Sequence, residues 1–217
     1  MTLSTKPTPE RQVVWLCRHG NRIDFMDPSW QGDDPHLSPD GVQQARETGE
    51  RLRSESIRRI FASPFLRTVE TAHYIAEALD LPIHIEHGAC EWLNPEWFPN
   101  PPRLMTPNEL RERFPRVDTE YQSMLTPAYP EDGDTASRRA GEAARLVANR
   151  FRDDILLIGH GHSVGGMAVG LLDDVPEFSC GMCALLKIVR TNGTSTMELA
   201  GDTSHLQDGA RHENRFA

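Results

Sequence analysis

The feature that most constrains the fold of this chain is a series of short, largely apolar runs separated by segments with helix signals. The runs are Val13–Cys17, Ile57–Ala62, Leu81–Ile85 and Ile155–Gly159. Strands that are buried on both faces have this character. Helical segments between the first three runs predict right-handed βαβ connections. The sequence therefore predicts an α/β fold with a mostly parallel central sheet flanked by helices.

Helix start signals support this pattern. Ser38-Pro39 and Ser63-Pro64 each place a serine at the N-cap and a proline at the first helical position. The remaining predicted elements are helices at Pro107–Phe114, Asp134–Phe151 and about Ser163–Leu172, and a hairpin of Ala184–Val189 and Thr194–Leu199 around Asn192-Gly193.

The length of 217 residues and the hydrophobic content of 38% suit a single domain spanning 1–217. The alternation of elements breaks between about Cys90 and Asp132, where Pro, Trp and Phe are frequent. We interpret this stretch, approximately 90–132, as an inserted cap with one short helix. A polar tail, approximately 202–217, is expected to have low order.

The charge balance limits the classes of partner. The chain carries a net charge of −9, which disfavours non-specific binding to nucleic acid or to an anionic membrane. The N-terminus is polar, and no apolar run approaches the roughly 18 residues of a membrane span. A soluble cytoplasmic protein is the default expectation. Because the chain is acidic overall, any site for an anion must concentrate positive charge locally.

Candidate functional residues follow the predicted strands. In open α/β sheets, ligands bind beyond the carboxyl ends of the strands. The residues expected there are Arg18, His19 and Arg22 after the first strand, Ser63 and the helix bearing Arg67 after the second, Glu91 after the third, and His160 after the fourth. Guanidinium groups bind tetrahedral oxyanions bidentately, and a helix N-terminus at Ser63 would add backbone donors. This set predicts a site for a phosphoryl group.

Cleavage of a phosphate ester needs a nucleophile and a proton donor. A neutral imidazole can attack phosphorus, whereas protonated lysine and arginine cannot. A carboxylic acid can protonate the departing oxygen, which contributes about 10²–10⁴-fold in rate. The histidines and the glutamate at the strand ends are the candidates for these roles.

The motifs resemble those of the histidine phosphatase superfamily, which has a three-layer phosphoglycerate-mutase-like fold. The matching stretches are CRHGNR at Cys17–Arg22, LSPDGVQQA at Leu37–Ala45, ASPFLRTVETA at Ala62–Ala72, Glu91 in ACEW, and IGH at Ile158–His160. Within that superfamily, the chain resembles the phosphatase domains of the Sts/TULA branch. The shared features are CRHG-x-R-x-D, SP-x-LR-x-V-x-TAH, the Glu-Trp pair before a stretch rich in proline and tryptophan, and VDTEY at Val117–Tyr121.

The resemblance implies a metal-independent phosphomonoesterase that acts through a phosphohistidine intermediate, with a role for each matching residue. His19 would be the phosphorylated nucleophile and Glu91 the general acid. The phosphoryl oxygens would be bound by Arg18, Arg22, Arg67 and His160. Neither a metal nor a cofactor is implied. Asn21 departs from the glutamate common in the family, and Glu70 replaces a frequent glutamine.

Asn21 and Trp92 are further candidates for substrate contacts. Trp92, Trp97 and Phe98 could stack on an aryl group or could form the core of the cap. The substrate class stays open, because phosphotyrosine and phosphorylated small molecules both fit three arginines. The oligomeric state stays open as well, with a homodimer among the options.

Other interpretations of the sequence are weaker but specific. A phosphoglycerate-type phosphomutase would use the same strand-end residues. Gly161-His162-Ser163-Val164-Gly165 spells G-x-S-x-G, which predicts a serine esterase with Ser163 as nucleophile. That interpretation leaves the arginines without a role, and the alternative is that Ser163 starts a helix. A non-catalytic phospho-ligand binder would need the arginines alone. Cys180 and Cys183 form one C-x-x-C, interpreted as ordinary strand cysteines.

Overall fold

The computed structural model describes residues 11–207, which form one mixed sheet with helices on both faces. The strands are β1 (Arg11–Arg18), β2 (Arg59–Ala62), β3 (Ile83–Ile85), β4 (Val117–Asp118), β5 (Ile155–Gly159), β6 (Leu185–Thr191) and β7 (Thr194–Asp202). The helices are α1 (Ile23–Met26), α2 (Pro39–Leu52), α3 (Leu66–Leu79), α4 (Pro107–Arg113), α5 (Gly133–Arg150) and α6 (Gly161–Leu171).

The strand order is β4-β3-β2-β5-β1-β6-β7. The pairs from β4 to β1 are parallel, whereas β6 and β7 add an antiparallel edge. The predicted α/β fold with a mostly parallel sheet is confirmed. The strand β5 lies between β1 and β2, with Leu157 opposite Leu16 on one side and Phe61 on the other. This order brings the ends of β1, β2 and β5 together.

Side chains alternate between the two faces of the sheet, as the period of a strand requires. Trp15, Ile60 and Ile158 pack with α2 and α3, whereas Leu16 and Leu157 pack with α5 and α6. Both faces are therefore buried, which explains why the strands are apolar runs.

The helices α5 and α6 approach each other backbone to backbone. A Cβ atom on Gly141 of α5 would lie 2.8 Å from the carbonyl oxygen of Gly166, and one on Gly170 would lie 2.3 Å from the Cα of Gly141. No side chain fits at these contacts, so the glycines fix the distance between the two helices.

The predicted start of the third helix is wrong. Ser38 does cap α2, accepting a hydrogen bond from the Gly41 N–H at 3.1 Å. In contrast, α3 begins at Leu66, with Phe65 at the N-cap and no side-chain cap. The Leu66 N–H donates to both carboxylate oxygens of Asp34, at 2.9 and 3.0 Å. A carboxylate from a distant loop therefore occupies this helix N-terminus.

The segment expected to be cap contributes to the sheet as well. Val117 and Asp118 form β4, which pairs with β3 at the edge. The proximal part of the segment has its own small core, in which Phe98 packs with Phe65 and Leu93. Phe98 is thus a cap core residue rather than an exposed aromatic.

The first residues of the expected polar tail are bound to α2. Leu206 is buried, and His205 Nε2 lies 3.1 Å from Thr48 Oγ1. The rest of that tail, residues 208–217 with His212, and the polar segment 1–10 lie outside the described residues. The turn of the hairpin is as predicted, with positive φ at Asn192 and Gly193. Among residues 11–207, no helix combines the length and the apolar character that crossing a membrane requires.

Candidate active site

The candidate site lies where β1, β2 and β5 end. His19 follows β1, Ser63 follows β2 and His160 follows β5. The rings of His19 and His160 are in edge contact, with centroids 5.2 Å apart. His160 Nε2 lies 2.8 Å from Ser63 Oγ. The sheet order therefore brings three residues from distant parts of the sequence into contact.

The His19 ring has a defined tautomer. Its Nδ1 lies 2.7 Å from the carbonyl oxygen of Gly20, and because a carbonyl only accepts, Nδ1 carries the proton. The lone pair is then on Nε2. Burial lowers the pKa of His19 well below 6.5, and the charges of Arg67 and Arg18 lower it further. A neutral imidazole with a free Nε2 is what a nucleophile at this position requires.

Arg67 is fully enclosed between two carboxylates. Its Nη2 lies 3.4 Å from Glu91 Oε2, and its Nη1 lies 3.7 Å from Asp34 Oδ1. Burial lowers the pKa of Arg67 to about 10, so the guanidinium stays charged at neutral pH. Glu70, three residues further along α3, could pair with Arg67 by its spacing, but its carboxylate accepts the N–H of Leu37 at 2.6 Å instead.

Arg18 and Arg22 lie around the same histidines. Arg18 Nη1 donates to the carbonyl oxygen of Cys180 at 2.7 Å, and a Cβ on Gly161 would lie 3.6 Å from the Arg18 guanidinium carbon. Arg22 Nε donates to Asp24 Oδ1 at 2.9 Å, and its guanidinium covers the ring of Phe25. Both arginines lower the pKa values of His19 and His160. Together with Arg67 they supply the local positive charge that an anion site in this acidic chain needs.

Three glutamates, Glu86, Glu91 and Glu96, follow the third apolar run in the sequence, and the structure separates them. Glu91 Oε2 lies 3.4 Å from both Arg67 Nη2 and His160 Nδ1, and its side chain is 13% exposed. Glu86 is fully buried and accepts hydrogen bonds from Gly88, Tyr121, Ser123, Met124 and Leu125. Glu96 is exposed on the cap. Only Glu91 of these three contacts the histidine and arginine cluster.

His160 is the most enclosed of the two histidines. Its ring makes an edge contact with Phe65 at 5.1 Å. Burial lowers its pKa well below 6.5, with Arg67 and His19 acting in the same direction. Nδ1 has no hydrogen-bond partner among the described residues, although it faces Glu91 Oε2. A buried ring nitrogen without a partner is available to an incoming ligand at this position.

Asp34 is a site residue that the sequence analysis missed. It lies in the loop before α2, beside Arg67, and burial raises the pKa of its carboxyl to about 6. Ser63 has the opposite outcome. It was expected to cap a helix that binds phosphate, but its hydroxyl contacts His160, and Asp34 binds the helix N-terminus. The stretch GDDPH around Asp34 shows only a loop, so no periodic signal marked it.

The two further candidates for substrate contacts differ in position. The Asn21 side chain is fully buried between β1 and α2, where Oδ1 accepts the N–H of Arg22 at 3.0 Å. Trp92 is partly exposed, and its Nε1 donates to the carbonyl oxygen of Glu131 at 2.8 Å. The Trp92 ring packs against Trp97 and His162, each at 5.1 Å.

Ser163 starts a helix. Its Oγ accepts the N–H of His160 at 2.9 Å, which makes it part of a capping box at the start of α6. A serine esterase would also need a histidine after Ser163, and His205, one such histidine, contacts Thr48 instead. Gly159 makes room for this serine, since a Cβ there would lie 2.6 Å from Ser163 Oγ. The geometry therefore gives the esterase interpretation no support.

The paired cysteines are not strand residues. Cys183 precedes β6 with a positive φ of 53°, and Cys180 lies before it in an irregular segment. Cys17 in β1 contacts Cys183, which together with burial raises the pKa of the Cys17 thiol. The C-x-x-C therefore turns the chain into β6 beside Arg18.

Comparison with protein families gives a match to the histidine phosphatase superfamily (branch 1) over residues 14–203. The chain is 36% identical over 187 residues to the transcription factor tau 55 kDa subunit of Saccharomyces cerevisiae, covering 77% of this chain and 42% of that protein. It is 36% identical over 169 residues to human ubiquitin-associated and SH3 domain-containing protein A, covering 71% of this chain and 25% of that protein. The chain thus spans less than half the length of these two curated relatives.

A solved structure has the same fold. The ecdysone phosphate phosphatase of Bombyx mori in complex with tungstate superposes with a TM-score of 0.67 at 25% identity. The superposition covers 82% of this chain and 88% of that one. Relatives of the Sts/TULA type are therefore among the matches, as the sequence motifs predicted.

Proposed function

The chain belongs to the histidine phosphatase superfamily (branch 1), and from this premise we propose that it is a phosphoric monoester hydrolase in which His19 carries the phosphoryl group. The observation that carries the proposal is the state of the His19 ring. Its proton is held on Nδ1 by the Gly20 carbonyl, its pKa is lowered, and it lies among positive charges. The family and the enzyme class agree with the expectations from the sequence.

The first step transfers the phosphoryl group. His19 Nε2 attacks phosphorus as the bond from phosphorus to the ester oxygen breaks. Arg18, Arg22 and Arg67 neutralise the phosphoryl oxygens, and His160 donates a hydrogen bond to one of them. A phosphate monoester carries about −1.5 to −2 charges near neutral pH, so several cations are needed to hold it beside a neutral nucleophile. Arg22 must release Asp24 in part to take up this role.

Glu91 handles the protons. Its carboxyl group protonates the departing oxygen in the first step and then, as carboxylate, takes a proton from the attacking water. The water displaces His19 Nε2 from phosphorus, which releases inorganic phosphate and restores the neutral ring. The position of Glu91 beside both Arg67 and His160 supports this assignment, because those two residues would hold the same phosphoryl group.

In this proposal the substrate is a phosphate monoester, and a panel of esters identifies its leaving group. Trp92 follows Glu91 directly in the chain, and its ring packs against the half-exposed ring of Trp97. They provide an apolar surface on the cap side of the acid. Aryl phosphates and phosphotyrosine peptides are therefore the first esters to compare with alkyl phosphates.

The test is to trap the intermediate. Enzyme mixed with radiolabelled 4-nitrophenyl phosphate and quenched in alkaline denaturant should carry label that is stable in alkali and lost in acid. His19→Ala should carry none, whereas His73→Gln, a matched histidine substitution on α3, should keep it. Unlabelled wild-type protein, or label retained by His19→Ala, would contradict the proposal. Transfer of label to a phosphoglycerate rather than to water would instead identify a mutase.

A further inference from the structure

Arg139 of α5 is a buried arginine whose donors are all in use. Its Nε and Nη2 donate to the two carboxylate oxygens of Glu131, at 2.7 and 2.8 Å. The remaining hydrogen bonds go to the carbonyl oxygens of Gly88, Cys90 and Glu91, at 2.8, 3.2 and 3.1 Å. A guanidinium has five N–H donors, so these five bonds leave none for a substrate.

The three carbonyl groups belong to the segment that leads to Glu91. After the 3-10 turn at His87–Ala89, this segment has no regular structure and so no ladder to bind its carbonyls. Buried backbone acceptors need a donor, and the Arg139 side chain donates to the carbonyl oxygens of Gly88, Cys90 and Glu91. The position of the Glu91 backbone is thus set by a side chain from another element.

Glu131 holds the other side of Glu91. Its N–H donates to the carbonyl oxygen of Leu93 at 3.2 Å, and its own carbonyl accepts from Trp92 Nε1 at 2.8 Å. The side chains of Arg139 and Glu131 are 5% and 1% exposed, and their charges cancel. The pair therefore fixes the segment on both sides of Glu91 without adding net charge beside the phosphate site.

Arg139 also has a fixed relation to His160. The glycine contacts of Gly141 with Gly166 and Gly170 bind α5 against α6 backbone to backbone. Because α6 begins directly after His160, α5 and this histidine form one rigid support. Arg139 connects the segment of Glu91 to that support.

We propose that Arg139, oriented by Glu131, is a positioning residue that holds the Glu91 carboxyl beside Arg67 and His160. This inference rests on the proposed function, since it assigns Arg139 a part in the proton transfer by Glu91. Arg139 does not touch the substrate. It acts through the backbone of the residue that does.

The experiment compares two esters in a set of variants. Arg139→Met removes all five bonds, Arg139→Lys keeps the charge without the planar fork, and Arg138→Met is the matched control on the exposed face of the same helix. For each, kcat/KM is measured on 4-nitrophenyl phosphate, whose leaving group needs little protonation, and on glycerol 2-phosphate, whose leaving group needs it. Arg139→Met is then also combined with Glu91→Gln, and the double variant is measured on both esters.

For Arg139→Met we expect a loss on glycerol 2-phosphate that exceeds the loss on nitrophenyl phosphate by about tenfold or more. In the Glu91→Gln background this excess should vanish, because the misplaced group is already inactive. Arg139→Lys should show the same excess in smaller measure, and it carries the test if Arg139→Met does not fold. Arg138→Met should show none.

A purely structural role would give equal losses on both esters, and those losses would persist in the Glu91→Gln background. Either result in folded protein overturns the positioning role. If Glu91→Gln itself shows no dependence on the leaving group, the failure lies in the proposed function instead. The two failures are therefore distinguishable within one set of measurements.

Discussion

The candidate site has two halves. The strand-end half contains His19, Ser63 and His160, and the cap half is Glu91 with its segment. Backbone hydrogen bonds of the sheet hold the first half, whereas other contacts hold the second. The backbone N–H of His19 donates to the carbonyl oxygen of Gly159 at 3.0 Å, and the backbone N–H of Ser63 donates to that of Ile158 at 3.0 Å. Both residues therefore extend the hydrogen-bond ladder of the sheet. Glu91 has no such ladder. Its segment is held by the buried side chain of Arg139 and by the backbone of Glu131.

The same contrast continues further into the cap. Glu86 accepts hydrogen bonds from the backbone of Met124 and Leu125 and thereby binds the distal end of the cap to the end of β3. Buried carboxylates here do what strand pairing does in the sheet. In a strand ladder each residue makes its own hydrogen bonds, whereas here one charged side chain makes several of them, so a single substitution removes them all. We therefore expect the acid to be easier to misplace than the nucleophile.

The largest effect that separates the halves should come from Glu91→Gln. Gln keeps the size of the side chain but cannot transfer the proton. On an alkyl phosphate we expect kcat/KM to fall by about 10²–10⁴-fold, and on nitrophenyl phosphate by much less. Steady-state kinetics on the two esters measures this difference. His19→Ala should show no such selectivity, since it removes the step that both esters share.

Glu96→Gln is the matched control for this comparison, because Glu96 lies exposed on the same segment. It should leave both rates close to those of the wild type. Equal losses on the two esters for Glu91→Gln would remove the acid from the cap and assign the proton transfer to another group. Asp34, on the other side of Arg67, would then be the first group to examine.

The sequence was informative where the site depends on strand ends and silent where it depends on loop contacts. The residues beyond the apolar runs, such as His19 and His160, could be predicted because parallel strands end at one edge. The insertion of β5 between β1 and β2 could not, since no local pattern records which strands pair. Asp34 and Arg139 were missed for a related reason. Asp34 lies in a loop and binds the N–H of Leu66, 32 residues away, and Arg139 binds the carbonyl oxygen of Gly88, 51 residues away. No local pattern records contacts at this distance.

The lowered pKa values of the histidines offer a smaller effect that tests the strand-end half. His19 and His160 are neutral in the folded state at pH values where an unfolded chain binds protons, near and below 6.5. The unfolded state therefore gains protons first, and the free energy of unfolding should fall as pH drops below about 6.5. Each such histidine contributes up to about 1.4 kcal/mol per pH unit. Asp34 acts in the opposite direction between 3.8 and about 6, because its pKa is raised.

The contribution of His19 can be isolated by difference. Urea unfolding of the wild type and of His19→Gln between pH 7.5 and 5.5 should give a shallower pH slope for the variant. The other ionisable groups, Asp34 included, largely cancel in this difference. Imidazole resonances of His19 that titrate near pH 6.5 in the folded protein would contradict this prediction, because they would show that burial does not lower the pKa of the His19 ring.

The smallest effect on activity should come from Ser163→Ala, which removes one hydrogen bond in the strand-end half. The variant leaves the His160 N–H without its acceptor at 2.9 Å, and a buried donor without a partner costs about 1–3 kcal/mol of stability. The position of the His160 ring should nevertheless persist. Its Nε2 still contacts Ser63, and its carbonyl still accepts the Val164 N–H at 2.8 Å.

Thermal unfolding should therefore register Ser163→Ala, while the ratio of rates on alkyl and nitrophenyl phosphate stays that of the wild type. That outcome would show that the strand-end half tolerates the loss of one hydrogen bond, as a distributed support should. It would contrast with Arg139→Met, where the same ratio is expected to change. A Ser163→Ala variant that is stable but inactive on every ester would reverse the comparison, because it would make the serine of the G-x-S-x-G sequence the residue on which the chemistry depends.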